Sequence, residues 1–240
     1  MKWSAGFTEL VLHFAERMGD AKQMPMEEAL LTSTPLYLNL GLNRSFDGSH
    51  PIWQEFVRGF RHTSDPVSWS HDFYVAHGRE YPTTAYGCFS YHFETETQTI
   101  RFHFGNRDPS AFGPLSDERR AARRQELIAM FSDIRRDVPE ARAVRGRSWM
   151  YHLPAYFRLF PPEYVRSTVP APPELQFMSL WGQFLDRSWE LRVDAASKFR
   201  ERFMAKHVAG ELISSFPLSV LALSCSIDHF YALFGVNGHG

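Results

Sequence analysis

The amino-acid sequence predicts an α+β fold, mixed α/β in its middle, with a central and mostly antiparallel sheet, a β-hairpin at 88–104 and flanking helices. Three observations predict it. Phe89, Tyr91 and Phe93, then Ile100, Phe102 and Phe104, alternate with polar residues, which is the period of half-buried strands. Near both ends of the chain, apolar residues recur every three or four positions, the period of helices packed by one face. Between the ends the pattern reads strand, strand, helix, strand, short helix, strand.

The chain opens on a helix with Phe7, Leu10, Val11, Phe14 and Met18 inward, ending at Gly19-Asp20. A short helix over 26–31 and an irregular stretch over 32–48 follow. Pro51 suits the first turn of the next helix, which buries Ile52, Phe56, Val57 and Phe60. Residues 61–86 read as loop with one short strand at 73–76. In the hairpin, a turn centred on Glu96-Thr97 sets Phe93 opposite Ile100, Tyr91 opposite Phe102 and Phe89 opposite Phe104. The other face then carries Ser90 opposite His103 and His92 opposite Arg101. A one-residue slip would send each apolar set to the wrong side, so the pattern specifies the register.

After a loop over 105–115, Ser116 is a natural N-cap, and the helix that it starts runs to Asp137 with Leu127, Phe131, Ile134 and Val138 buried. Residues 142–150 read as a strand, 155–160 as a short helix and 175–185 as a strand or strand pair bent at Gly182. A helix over 194–207 buries Ala195, Phe199 and Phe203. The segment 217–234 reads as a buried helix capped by Gly235, with a strand as the alternative for its first half. No linker interrupts the chain, so one domain over 1–240 is expected, with a helical part at 1–60 packed on an α/β core at 86–234.

Composition narrows the function classes. A net charge of -1 argues against a nucleic-acid binder. Cys88 and Cys225 are too few for a disulfide framework and suit small buried positions in a reducing, cytoplasmic setting. The most apolar stretch, 216–234, is broken by Pro217, Asp228 and His229, so no membrane span is expected. Aromatic residues are 15% of the chain, and 21 are Phe, which excludes a disordered chain.

Four groups of residues carry candidate chemistry. His92 and His103 share a polar strand face with Arg101 and Ser90, where a histidine can act as a base. The plain alternative is a solvated sheet face. The loop into the Ser116 helix, with Gly113 and then Arg119, Arg120, Arg123 and Arg124, invites a phosphate at the helix start. Ser148, Trp149 and Tyr151 cluster at a strand end, with Tyr156 close behind. Gly146-Arg147-Ser148-Trp149-Met150 lacks the second glycine of a serine-hydrolase elbow. Asp228-His229 are neighbours on the last helix. His50, His62, His71 and His77 match no metal-ligand spacing, although a site assembled in three dimensions leaves a His-based metal enzyme as one alternative.

Residues 86–185 combine a strand ending at Phe104, the Gly113-Pro114-Leu115-Ser116 helix start, a long helix, a strand ending Ser148-Trp149, and Leu159-Phe160-Pro161-Pro162-Glu163. In this order the segment resembles the C-terminal half of GNAT-like acyltransferase domains, particularly a bacterial GNAT-like group with a comparable Ser-Trp and Pro-Pro pattern. The resemblance implies a mixed sheet splayed around an acyl-CoA cleft, and transfer of an acyl group to an amine or hydroxyl acceptor. Acyl-CoA would then be a co-substrate and not a resident cofactor, its phosphates held by the helix start and the arginines after it, with His103 or His92 as the base. The family's usual pyrophosphate motif, Arg/Gln-x-x-Gly-x-Gly/Ala, is absent, and the resemblance carries over no catalytic residue. The alternative from another class is a non-enzymatic partner or scaffold protein, whose aromatic excess would form a surface for a protein partner or a second copy.

Overall fold

The computed structural model describes residues 2–78, 86–108 and 110–236. Contacts group the chain into two compact units, Met1–Tyr81 with Pro173–Ser219, and Pro82–Pro172 with Val220–Gly240. Residues 173–219 thus group with the N-terminal helices and not with the rest of 86–234. Among the described residues, no helix is long and apolar enough to cross a membrane.

The first unit is helical. Its longest helix, Ala5–Lys22, turns Phe7, Leu10, Val11, Phe14 and Met18 inward as their spacing predicts, and ends where Gln23 takes a left-handed φ of 55°. Phe14 is the hub of the unit: the rings of Trp181, Phe199, Phe203 and Phe216 lie 5.2–5.6 Å from its own. Burying one side chain of this size stabilises by roughly 1.5–3 kcal/mol, so this cluster is the unit's main driving force. Helices Met26–Ser33, Pro51–His62 and Val193–Met204 lie close to the expected places. In the last of these, Ala196 and not Ala195 is buried beside Phe199 and Phe203.

Two expectations in this unit are corrected. No strand forms at 73–76, because Pro66–His77 is a helix. Asp65 accepts the Ser68 amide at 3.0 Å, and Pro66 takes the first turn, where its missing N–H goes unused. Nor is 175–185 a strand. It holds a short helix, Met178–Trp181, and a 3-10 turn, Gly182–Phe184. Buried polar groups decide this: the Trp181 indole N–H donates to the Leu175 carbonyl at 2.7 Å. The Gln183 amide donates to the Leu180 carbonyl at 2.8 Å and accepts from the Leu218 amide at 3.0 Å.

The second unit is a five-stranded sheet with helices on one face. Its strands are β1 (Phe89–Glu94), β2 (Thr99–Phe104), β3 (Ala143–Ser148), β4 (Val169–Pro170) and β5 (Leu221–Ser226), in the order β1-β2-β3-β5-β4. The β1–β2 hairpin has the expected register, from Phe89↔Phe104 to Phe93↔Ile100. Strands β2 and β3 run parallel. Every other neighbouring pair is antiparallel. The helix Arg120–Asp137 crosses between β2 and β3, burying Leu127, Met130, Phe131 and Ile134 against the inner face.

The segment 217–234 is strand first and helix second, the alternative reading of its first half. Leu221, Leu223 and Cys225 share the inner face with Val144 and Gly146 of β3, while Ala222, Ser224 and Ser226 face outward. Only a period of two separates these sets so cleanly. The helix Asp228–Phe234 then stacks Phe230 and Phe234 on Phe131, at 4.7 and 5.4 Å, and Gly235 caps it in the left-handed conformation, φ 68°. The expected helix over 155–160 is shorter, Pro154–Phe157. A second one, Pro162–Arg166, begins where Pro162 again fits a first turn.

Beneath the inner face lies a chain of buried tyrosines. The Tyr151 and Tyr164 hydroxyls are 2.8 Å apart, and the Tyr156 hydroxyl bonds to that of Tyr151. Burial raises all three phenols well above their usual range, so each remains a neutral donor and acceptor. Gly146 is required here, because a methyl group on it would overlap both the Tyr151 and the Tyr164 hydroxyl. Gly146→Ala is therefore expected to destabilise this unit by about 1–3 kcal/mol, the usual penalty of overpacking. Thermal unfolding followed by circular dichroism checks it, and adding Tyr151→Phe should recover part of the loss.

Candidate functional site

Residues from the strands of the second unit alternate between the helix-covered face and an outer one. The outer face carries Ser90, His92 and Glu94 from β1, Arg101 and His103 from β2, and Arg145 and Arg147 from β3. The two histidines and Arg145 are exposed. Arg101, expected to bind a ligand, donates to Glu94 at 3.1 Å. Burial alone would raise the Glu94 carboxyl, yet the bond and charge of Arg101 hold it below its usual value.

The parallel junction is short. It pairs Thr99↔Ala143, Ile100↔Val144 and Arg101↔Arg145, and there the register ends. Both strands run three residues further, β2 through His103 to Phe104 and β3 through Arg147 to Ser148. Over those residues the facing edges of β2 and β3 have no ladder with each other, and His103 lies on that part of β2.

At the C-terminal end of β2, the loop predicted to receive phosphate is filled from within. The Asp108 carboxylate, its side chain fully buried, accepts the Ser110 amide at 2.9 Å, an Arg119 bond, and Arg123 at 3.0 Å. Arg123 is 2% exposed, and also bonds Glu126 at 2.6 Å and the Cys88 sulfur. Glu126 closes the ring by accepting the Cys88 amide at 3.1 Å. Gly87, at φ 59°, is pressed against Glu126 where no side chain would fit. Burial alone would raise the Asp108 carboxyl, but the Ser110 and Arg119 bonds and the Arg123 charge outweigh it and hold it at about 2. Burial raises Glu126 and the Cys88 thiol. Arg119 and Arg123 therefore hold an internal carboxylate, which corrects their expected role as ligand arginines.

Arg120 remains outward. It lines a cleft of about 60 Å³ with Arg124, Arg158, Leu159 and Leu233. Arg158 is fixed there by an ion pair with Asp117 and a 2.8 Å bond to the Leu115 carbonyl. Ser116 stands at the expected N-cap position, before the turn Asp117–Arg119, but its side chain makes no capping bond. Gly113 is exposed, and a side chain there would meet nothing.

The remaining candidates separate. The Ser148 hydroxyl accepts the Met150 amide at 3.1 Å and so caps the 3-10 turn Trp149–His152. That bond is structural. Trp149 is half-buried, and Tyr151 is 2% exposed within the tyrosine chain, so it cannot stack on a ligand. Asp228 accepts from the Ser226 hydroxyl at 3.0 Å, while His229 lies 3.6 Å from Glu163, so these neighbours do not act as a pair. Cys88 is buried as expected, whereas Cys225 is only half-buried, and the burial that it has pushes its thiol up to about 11.

In the first unit the four histidines have separate employments. His50 accepts the Ile52 amide, His62 bonds the Arg58 carbonyl, His71 lies 3.4 Å from the Thr8 hydroxyl, and His77 stacks on Phe73. Among the described residues, no group of three or more His, Cys, Asp or Glu is placed to hold a metal ion. No protein-family model matches the chain, and no curated protein or solved structure matches it.

Sequence reasoning missed Arg145, Arg147, Arg158 and Asp108 as site residues. The first two had a signal, two positions apart on a strand with Gly146 between them. Asp108 had none, because its role depends on how the loop folds back. Asp108→Asn leaves Arg123 buried with less charge compensation, and is expected to destabilise the unit by about 3–5 kcal/mol. A carboxyl lower in the folded chain than in the unfolded one stabilises the fold above about pH 4, and that contribution fades as the pH falls toward 2. Denaturant titrations at pH 2.5 and pH 6 should show a smaller difference for the variant than for the parent.

Proposed function

We propose that the second unit binds acyl-CoA at the opening between β2 and β3 and transfers the acyl group to an amine. One observation carries the reading: the single parallel junction ends after three pairs, although both strands continue for three more residues. A mixed sheet parted at such a junction is what the resemblance to GNAT-like domains implies, and an extended acyl chain fits between strands whose edges lack ladder partners.

Arg120, Arg124 and Arg158 hold the CoA phosphates, since Arg119 and Arg123 serve Asp108. His103, exposed on β2 beyond its pairing with β3, takes the proton of the acceptor amine as its nitrogen bonds to the thioester carbonyl carbon. The C–S bond then breaks, and the proton passes to the departing thiolate. Two free cysteines suit the reducing cytoplasm in which acyl-CoA is found. A non-enzymatic relative is the second reading, favoured by the carboxylate that fills the loop of the missing pyrophosphate motif.

CoA or acetyl-CoA at a hundredfold excess over its dissociation constant stabilises the site by about 2.7 kcal/mol, enough to raise Tm by several degrees in a chain of this size. The Arg120→Ala, Arg124→Ala double variant should lose most of that rise. No shift with either ligand at millimolar concentration overturns the reading.

A further inference from the structure

On the outer face of the sheet, beside the opening, is a cationic trough. Arg145 and Arg147 stand two residues apart on β3 and point the same way, with Cα atoms about 7 Å apart. Opposite them on β5 stand small residues, Ser224 against Arg145 and Ala222 against Arg147. The space so left is about 220 Å³, closed at its edge by Ser167 and Val169. That edge is fixed, because the Ser167 hydroxyl accepts the Ser224 amide at 2.9 Å and donates to the Tyr164 carbonyl at 2.7 Å. Arg147 donates to the Pro172 carbonyl at 2.9 Å, which holds its guanidinium at the wall. The Arg145 side chain is exposed, and its charge reaches Glu94 without a hydrogen bond to it.

Charge decides what such a trough takes. Among the described outward positions of the five strands, Glu94 is the one carboxylate, and Arg101 already holds it. Two guanidiniums on a wall repel a cationic ligand and favour a neutral acceptor less than an anion. A planar carboxylate or a phosphate gains charge-assisted bonds to both. The volume is below that of pockets for whole drug-sized molecules, so it suits an acid group with a few adjoining atoms.

We infer that this trough binds an oxyanion, a carboxylate or a phosphate, and that the oxyanion is the acid group of the acyl acceptor; this last assignment rests on the acyl-transfer reading above. Arg145 is paired with Arg101, and His103 is two residues beyond Arg101, so strand geometry puts the His103 Cα at least about 8 Å from that of Arg145. An acceptor seated by its acid group thus presents an amine, a few bonds away, to His103.

The test uses the full chain with arginine Nε–Hε resonances as the readout, titrated separately with inorganic phosphate and with succinate. Saturable shifts of Arg145 and Arg147 are expected with at least one of them, and the stronger binder identifies the kind of oxyanion. Arg145→Gln, and Ala222→Glu, which sets a carboxylate in the trough, should each weaken binding at least tenfold while the CoA-induced rise in Tm stays as in the parent. Resonances unmoved by both anions, or anion binding in both variants as tight as in the parent, overturn the inference. If the anions bind in the trough but CoA gives no Tm rise in the parent, the oxyanion site stands and both the acyl-transfer reading and the acceptor assignment fall.

Discussion

A parallel strand pair needs a long crossover, and here that crossover is the 105–142 segment with its 18-residue helix. The helix must lie on one face of the sheet, and it takes the face where Phe89, Ile100, Phe102 and Val144 gather. The opposite face is left to Arg, His and Ser side chains. The junction itself is a short seam between two longer ladders. Six residue pairs hold β1 to β2 and six hold β3 to β5, whereas three hold β2 to β3. Two antiparallel ribbons are thus joined over three pairs and have no ladder with each other beyond them, and the outer trough lies on the second ribbon, between β3 and β5.

Helix periodicity sorts the arginines of the crossover. Arg119 and Arg123 are four residues apart and face inward to Asp108, while Arg120 and Arg124, one position on, share the neighbouring stripe and line the cleft with Arg158. The inner pair forms a buried ion network with Asp108 and Glu126, which is tolerated because every charge in it has partners. It ties the loop after β2 to the helix that follows and to Cys88 at the start of the hairpin. The outer pair faces the cleft, where Arg124 donates to the Leu233 carbonyl at 3.0 Å.

Much of this architecture was legible in the residue pattern, where burial and period agree. The hairpin register followed from Phe89 to Phe104 because alternation over two strands admits one pairing. The N-terminal helix followed from Phe7 and Phe14, and the Gly235 cap from its place after Phe234. The pattern failed where a few polar bonds outweigh it. Asp65 and Pro66 start a helix that hydrophobic spacing does not announce, and the Gln183 amide makes a turn of what looks like a strand. In the site, the outward placing of His92 and His103 was readable from alternation. The inward placing of Arg123 was not, because a buried arginine is set by Asp108 across a loop and not by its neighbours in sequence.

Amide hydrogen exchange with and without saturating acetyl-CoA tests the proposed site between β2 and β3 directly. A ligand lying between the two strands covers their unpaired edges, so peptides spanning 102–104 and 146–148 should gain protection, with little change in β1 and in the β4–β5 ladder. Unchanged exchange at both segments in the presence of bound acetyl-CoA would contradict a ligand seated in the sheet.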